Sequence, residues 1–369
     1  MGYDREMTGI RCDANSIIAS GHMMRCLTIA KELVRQGESV TFFLADEESK
    51  GLFDACRGGE IEHCDAVVLG TNWRDMEAEL PILIKELPNR DITRILVDSY
   101  SVTPTYFHKL KEICPVVYID DLKADIYPVD VLINYSGYYK SLGYEEAYRG
   151  VCGHRAEPVK LLLGLKYAPL REQFYRTEDE TAHEEAGKTP GSEDMNVLLT
   201  SGGADTRGML LATLLEAEKQ GLLDGGITWH VVVGSLVKDD GAITSFAGDH
   251  EPVQIHKAVT DMAGLMRKCN IAICAAGTML TECAAIGLPA IFYQVADNQK
   301  YNVEFWSSTG GMIFAGDATE ETEKTIENIC RKLKDIIHGK DRCAQMKGSL
   351  SGLTDGRGAV HIAEEIMYL

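Results

Sequence analysis

The sequence predicts an α/β protein of two lobes, each a parallel β-sheet covered by helices on both faces. Three observations carry this reading: a length of 369 residues, an alternation of short β-branched runs with segments of helical period, and one polar interruption after which the alternation starts again. At roughly 100–200 residues per domain, such a length favours two domains. With 45% hydrophobic and 25% charged residues, the chain matches an ordinary globular composition and can fill two cores.

The elements follow in order. Ile10–Ala14 reads as a strand, Met23–Gln36 as a helix stopped by Gly37, and Val40–Leu44 as the next strand. Further strands are expected at Ala66–Leu69, Arg94–Asp98, Val116–Asp120 and Val131–Asn134, with helices around Arg74–Glu86 and Pro104–Ile113. Short β-branched strands separated by helices imply parallel pairing with both faces covered. Thr177–Asp194 carries seven acidic residues, one Lys, one Pro and two Gly, and offers nothing to a core; it reads as a linker or surface insertion. The alternation resumes with strands at Val197–Thr200, Trp229–Val233, Val253–Ile255, Ile271–Ala275 and Pro289–Tyr293, and helices at Thr206–Gln220, Asp261–Lys268 and Met279–Ile286. A last helix is expected over about Ala359–Tyr368. The expected organisation is a first lobe over 1–175, the acidic segment over 176–194, a second lobe over 195–350, and a terminal helix within 351–369 that returns to the first lobe.

A net charge of −19 argues against a nucleic-acid partner, whose affinity comes mostly from Lys and Arg neutralising phosphates. It equally disfavours an anionic membrane surface. Eleven cysteines, odd in number and without a C-x-x-C pair, read as reduced thiols, which points to the cytoplasm. The opening MGYDREMTGIR is charged where a signal peptide is apolar, and no stretch approaches about 18 uninterrupted apolar residues. A soluble, unexported protein is expected, and its oligomeric state is open.

Open parallel sheets bind ligands beyond the carboxyl ends of their strands, so four loops draw the chemistry. The first, Asp13–Arg25, runs from the first strand into the first helix. There Gly21 offers backbone freedom, and His22 falls at the helix N-terminus, where the dipole favours a neutral ring able to act as a base. The plainer reading is a His that caps the helix or touches the neighbouring lobe. The second loop, Thr200–Thr206, has Gly202 and Gly203 before a helix, which suits an anion; a simple tight turn is the alternative. In the third, Ala275–Glu282, Gly277 and Thr278 are placed to hold a diphosphate and Glu282 to accept from ribose hydroxyls, unless Glu282 is only a solvated helical residue. In the fourth, Gln294–Gln299, the amides of Asn298 and Gln299 suit sugar hydroxyls, or simply begin a helix. The pair Asp120 and Asp121 ends a strand and is either catalytic, a binder of a substrate amide, or a helix cap.

Other chemistries lack a fingerprint. The chain has no G-x-x-x-x-G-K-[ST], no G-x-G-x-x-G and no H-E-x-x-H. It has no D-x-D, the usual carboxylate pair that holds a metal on a nucleotide diphosphate, so no metal or other cofactor is expected. An H-x-x-x-x-D runs from His256 to Asp261, a spacing that arises readily by chance.

The segment CAAGTMLTECAAIGLPAIFYQVADNQ resembles the donor-nucleotide region of the GT-B superfamily, as in the MurG-type N-acetylglucosaminyl transferases. The first loop departs from those transferases: DANSIIASGHMMRC replaces their glycine-rich G-G-x-G-G-H. Together with LVDSY, YIDDL and LLTSGGAD, it is similar to the UDP-sugar hydrolases of pseudaminic acid biosynthesis and their spore-coat polysaccharide relatives, over about Ile10–Gly311. The resemblance implies a GT-B fold, two Rossmann-like parallel-sheet lobes with a cleft between them, and a UDP-sugar as the small-molecule partner. It implies that His22 is the base directing water to the anomeric carbon, that Gly277, Thr278 and Glu282 hold diphosphate and ribose, and that Asn298 and Gln299 face the sugar. Asp13, Tyr100 and Asp121 are then expected on loops facing the cleft. Arg25, one turn beyond His22, is either the cleft's cation or a tie to a neighbouring element. Metal-independent hydrolysis of a UDP-linked acetamido sugar is the leading expectation. The rivals are a GT-B glycosyltransferase with a UDP-sugar donor and a non-catalytic nucleotide-sugar binding subunit.

Overall fold

The computed structural model describes residues 6–15, 18, 20–59, 61–176, 195–224, 226–237, 239–339 and 341–369. The acidic segment 177–194 therefore lies outside the described residues. The chain divides into two units, one formed by Met1–Arg171 with Arg357–Leu369, the other by Glu172–Gly356.

Unit 1 is built on strands β1 (Met7–Cys12), β2 (Ser39–Leu44), β3 (Cys64–Val68), β4 (Ile92–Asp98), β5 (Val116–Ile119), β6 (Val131–Asn134) and β7 (Lys160–Leu163). They pair in the order β3-β2-β1-β4-β5-β6-β7, each pair parallel. Its helices are α1 (Gly21–Arg35), α2 (Glu47–Cys56), α3 (Met76–Asn89), α4 (Pro104–Leu110) and the single turns α5 (Tyr139–Leu142) and α6 (Tyr144–Ala147). Asp46, Asp75 and Thr103 cap α2, α3 and α4 with side-chain oxygens, as short polar residues before a helix do. Apolar faces of the sheet pack into two cores, one holding Ile10, Phe42 and Leu96 beneath α1, the other Ile95, Val97 and Phe107 beneath α3 and α4.

Unit 2 repeats the plan with β8 (Met195–Thr200), β9 (Ile227–Val233), β10 (Val253–Lys257), β11 (Ile271–Ala275), β12 (Ala290–Gln294) and β13 (Met312–Asp317). Their order is β10-β9-β8-β11-β12-β13, again parallel throughout. Helices α7 (Met209–Lys219), α8 (Gly241–Asp249), α9 (Met262–Met266), α10 (Met279–Ile286), α11 (Lys300–Ser308), α12 (Thr322–His338) and α13 (Arg342–Leu350) complete it. In both sheets the winding reverses at the first strand. The reversals fall between β1 and β4 and between β8 and β11, where a parallel sheet leaves room for a ligand.

The final helix, α14 (Gly358–Met367), belongs to unit 1. Ala359, Ile362, Ala363 and Ile366 join the core under α1, and Arg94 Nη1 donates to the carbonyls of Ile366 and Met367 at 3.2 Å. That buried guanidinium satisfies carbonyls that a helix end leaves without partners. Among the described residues no helix is long and apolar enough to cross a membrane.

Several expected boundaries move. The first strand spans Met7–Cys12 rather than Ile10–Ala14, because Asp13 and Ala14 already turn toward the loop. The helix expected from Thr206 starts at Met209, since Gly208 has φ +65° and the Asp205 carboxylate bonds the N–H groups of Met209 and Leu210 at 2.8 and 3.0 Å. The strongly amphipathic α12, together with α2, β7 and β13, was absent from the sequence reading.

The seat of α14 gives a test. A Cβ at Gly358 would lie 2.2 Å from the Ala168 carbonyl oxygen, closer than packed atoms approach. Gly358→Ala should lower stability by about 1–3 kcal/mol, as overpacking does, read as a lower urea midpoint of the full chain. An unchanged midpoint would contradict this packing.

Candidate functional site

The unit 1 site lies where β1 and β4 part. His22, on the first turn of α1, is 4% exposed. Its Nδ1 has no hydrogen-bond partner among the described residues and stands 3.6 Å from Asp98 Oδ1 at the end of β4. The ring meets that of Tyr100 edge to face, centroids 4.5 Å apart. Burial is the main force holding the His22 pKa below 6.5, with the Asp98 charge opposing and the Arg25 charge reinforcing it. The ring is thus neutral near pH 7. The expectation assigned that neutrality to the helix dipole, whereas desolvation dominates here.

Arg25 ties the site together. Its Nε and Nη2 clasp Asp98 in two bonds of 2.5 Å, and Nη1 reaches Asp121 Oδ2 at 3.0 Å and the Tyr135 hydroxyl at 2.5 Å. Burial works against the Arg25 charge, but Asp98, Tyr135 and Asp121 together more than offset it and its pKa rises. Burial likewise would lift Asp98, yet Arg25 brings it below the usual carboxylate range. Of the two readings left open for Arg25, the tie to neighbouring elements is the one seen within unit 1. The Tyr100 hydroxyl donates to Asp121 Oδ2 at 3.2 Å, and Tyr100 is 51% exposed.

Two expectations for this loop are corrected. Asp13 does not face open space: it is fully buried and bonded to Arg11 at 2.6 Å. Arg11 in turn clasps Glu79 in two bonds of 2.7 Å. One guanidinium so balances two carboxylates. Burial raises the Asp13 pKa against Arg11's pull. Gly21 was expected to supply backbone freedom, but it opens α1 with a φ outside the left-handed range and open space where a Cβ would be. As for the adjacent carboxylates, Asp120 is a turn cap, accepting from the N–H groups of Leu122 and Lys123, whereas Asp121 accepts from Arg25 and the Tyr100 hydroxyl.

In unit 2 the loops after β8 and β11 meet the second reversal. Gly202 N–H donates to Thr200 Oγ1 at 3.3 Å and Gly277 N–H to the Ala275 carbonyl at 2.8 Å, so neither is the free donor expected. Gly203 and Thr278 remain as backbone donors. Ser201 adds a buried hydroxyl without a partner among the described residues. The Asp205 carboxylate occupies the N-terminus of α7, which removes that helix as an anion site. By contrast, Thr278 leaves the start of α10 without a side-chain cap, and helix N–H groups so placed favour an anion. Glu282 is half-buried one turn further on. Asn298 is exposed, while Gln299 spends its carbonyl oxygen on Val295 N–H at 2.9 Å, so only its amide N–H₂ remains for a ligand.

Sequence reasoning missed several supports. Asn302 on α11 donates to the Ala276 carbonyl at 3.4 Å, joining the third loop to the fourth. Gly234, after β9, sits so close that a Cβ would lie 2.2 Å from the Gly202 carbonyl oxygen. The conspicuous V-V-V-G run at the end of β9 was the signal for it. Asp98 was visible only as part of LVDSY. The H-x-x-x-x-D pattern dissolves: Asp261 caps α9 by accepting from Gly264 N–H at 2.8 Å, and His256 pairs with His230 at 3.0 Å. His256 and Asp261 line a surface cavity of about 510 Å³ beside β10 and α9.

Residues 199–360, less than half of the chain, match the family model described as glycosyltransferase family 28 C-terminal domain. The chain is 20% identical to the spore coat polysaccharide biosynthesis protein SpsG of Bacillus subtilis over 96% of both chains. It is 21% identical to an uncharacterized protein of Methanocaldococcus jannaschii, over 76% of this chain but spanning only 54% of that relative's length. Among solved structures, MurG of Acinetobacter baumannii covers 99% of this chain and 100% of its own, with TM-score 0.68 and 13% identity. UDP-GlcNAc 2-epimerase of Neisseria meningitidis covers 99% and 100%, with TM-score 0.59 and 14% identity. The fold is therefore GT-B, the fold of glycosyltransferase-like proteins, two Rossmann-like parallel-sheet units.

The electrostatics predict a titration. With its folded pKa below 6.5, His22 binds fewer protons than in the unfolded chain, so its contribution to stability rises with pH from the folded midpoint up to about 6.5 and is lost on acidification. In the folded chain, the His22 resonance should titrate with a midpoint below 6.5, and His22→Gln should flatten the pH dependence of unfolding in that window. A midpoint above 6.5 would overturn the assignment.

Proposed function

We propose that the protein is a UDP-sugar-dependent enzyme of the GT-B glycosyltransferase type that acts in surface polysaccharide biosynthesis. Unit 2 takes the UDP moiety, with Ser201, Gly203 and Thr278 toward the diphosphate, Glu282 toward the ribose, and Asn298 and Gln299 toward the sugar. The observation carrying this is that the family 28 match falls on residues 199–360, the stretch in which a helix start without a side-chain cap, at Thr278, lies at the sheet's reversal. The similarity to SpsG, a spore coat polysaccharide biosynthesis protein, supports the polysaccharide setting.

In the proposed reaction, His22 takes the proton from an acceptor hydroxyl. That oxygen bonds the anomeric carbon as the bond to the β-phosphate oxygen breaks, and UDP leaves as an anion. Preorganised N–H groups and the α10 dipole stabilise the leaving charge, and a positioned base contributes about 10²–10⁴-fold. The family match supports sugar transfer to an acceptor over the other outcomes. Hydrolysis is the second reading, favoured by the burial of His22 at 4% exposure, since water reaches such a base more easily than a bulky acceptor, and by the resemblance of its loop to the UDP-sugar hydrolases of pseudaminic acid biosynthesis. A cytoplasmic location accords with eleven free thiols.

Purified protein incubated with UDP-N-acetylglucosamine and other UDP-sugars in heavy-oxygen water separates these readings. Transfer predicts little UDP release until an acceptor is supplied. Hydrolysis predicts release with label in the sugar. Label in UDP, or failure to bind UDP at all, would sink both. His22→Ala should reduce turnover at least about 10²-fold while UDP affinity stays within a few-fold; full turnover in that variant would remove His22 from the mechanism.

A further inference from the structure

We propose that Asp98 is a positioning residue for His22: its Oδ1 takes the Nδ1–H of the imidazole and so fixes the tautomer that presents Nε2 as the proton-accepting nitrogen. The proposal rests on the functional reading above for its kinetic consequence, but the tautomer itself does not depend on that reading.

The argument begins with an imbalance. His22 Nδ1 is buried with no partner among the described residues, and a buried ring N–H in that state is costly. Asp98 Oδ1 lies 3.6 Å away, so a shift of less than about one ångström makes a hydrogen bond of ordinary length. Asp98 is suited to accept and unable to donate, because Arg25 clasps both its oxygens at 2.5 Å and keeps it ionised. A carboxylate has about four lone-pair sites. Arg25 uses two of them and Cys26 Sγ approaches Oδ2 at 3.5 Å, which leaves Oδ1 a site for Nδ1–H.

The other groups facing the ring do not compete. Asp121 Oδ1 and Asp13 Oδ2 are buried without partners among the described residues, yet Asp98 is the carboxylate that comes within 4 Å of the ring nitrogens, and Arg25 can only donate. The Tyr100 ring, 82° to the imidazole at 4.5 Å, resists a flip that would exchange the two nitrogens. Second-partner hydrogen bonds of this kind set which imidazole nitrogen is free.

The test uses the full chain labelled with nitrogen-15 histidine, the His22 signals being those lost in His22→Gln. Above the titration midpoint, long-range proton–nitrogen spectra should show His22 protonated at Nδ1. In Asp98→Asn the amide carbonyl stays with Arg25 and its N–H₂ faces Nδ1, so the ring should switch to the Nε2–H form. UDP release from UDP-N-acetylglucosamine, with acceptor where one is required, should then fall about 10²–10⁴-fold in kcat, with KM changed less than about threefold. A purely structural role would change neither tautomer nor the kcat-to-KM split. An Nε2–H ring in the wild-type chain, or an unchanged tautomer in Asp98→Asn, overturns the proposal. If the variant does not fold, the wild-type spectrum alone decides. If no UDP-sugar is turned over while the ring carries its proton on Nδ1, the functional reading fails and the positioning stands.

Discussion

The constraint on which the rest depends is the reversal of winding in a parallel sheet. Parallel strands must be joined by right-handed crossovers, so a sheet that grows in both directions from its first strand sends the chain to opposite faces on either side of that strand. At the reversal the two adjacent loops diverge and leave backbone and side chains accessible beyond the strand ends. In unit 1 this happens between β1 and β4, and in unit 2 between β8 and β11. His22 and Asp98 flank the first reversal; Gly203 and Thr278 flank the second. The candidate sites are placed by topology before any side chain is chosen.

The two units furnish these places differently. Unit 1 uses ionised side chains in buried networks: Arg25 with Asp98 and Asp121, and Arg11 with Asp13 and Glu79. Buried ion pairs seldom add net stability over apolar packing, because desolvation offsets the attraction. Two such clusters beside one histidine make better sense as a means of fixing orientation and charge than as a source of stability. Unit 2 uses little charge at its loops. Glycine and hydroxyl residues bring backbone N–H groups to the surface, and Gly234 allows the neighbouring turn to close against Gly202.

The β/α alternation was legible because buried parallel strands are written as short apolar runs, such as Val131–Asn134 and Ile271–Ala275, and both appear at those positions. Elements with a weaker apolar signature escaped: β7 begins with an exposed Lys160 and α2 has only Ser49 and Phe53 buried. The candidate site was legible as loops and residue types, with Tyr100 against the His22 ring and Arg25 and Tyr100 both bonded to Asp121. Hydrogen-bond economy was not legible. Whether Gly202 and Gly277 keep their N–H groups free depends on φ/ψ within each turn. Whether Asp205 caps a helix or leaves it open depends on where Gly208 bends the chain. The burial of Asp13 likewise depends on Glu79, 66 positions away in sequence, which no local pattern links to it.

These local arrangements bear on the net charge of −19. A protein this acidic repels a nucleotide diphosphate at long range, so an anion site on it must work at short range, through dipoles fixed by the fold. The uncapped start of α10 at Thr278 supplies such dipoles, and the capped start of α7 does not: Asp205 already fills it with a charge of the wrong sign for a phosphate. Sequence presents the two loops as equivalents, each glycine and hydroxyl residues before a helix. The structure makes them unequal, and the inequality rests on a single carboxylate. On the proposed function an anion is thereby directed to α10, one turn from Glu282, and the strongly acidic composition is compatible with an anionic ligand because the bulk of the charge does not have to recognise it.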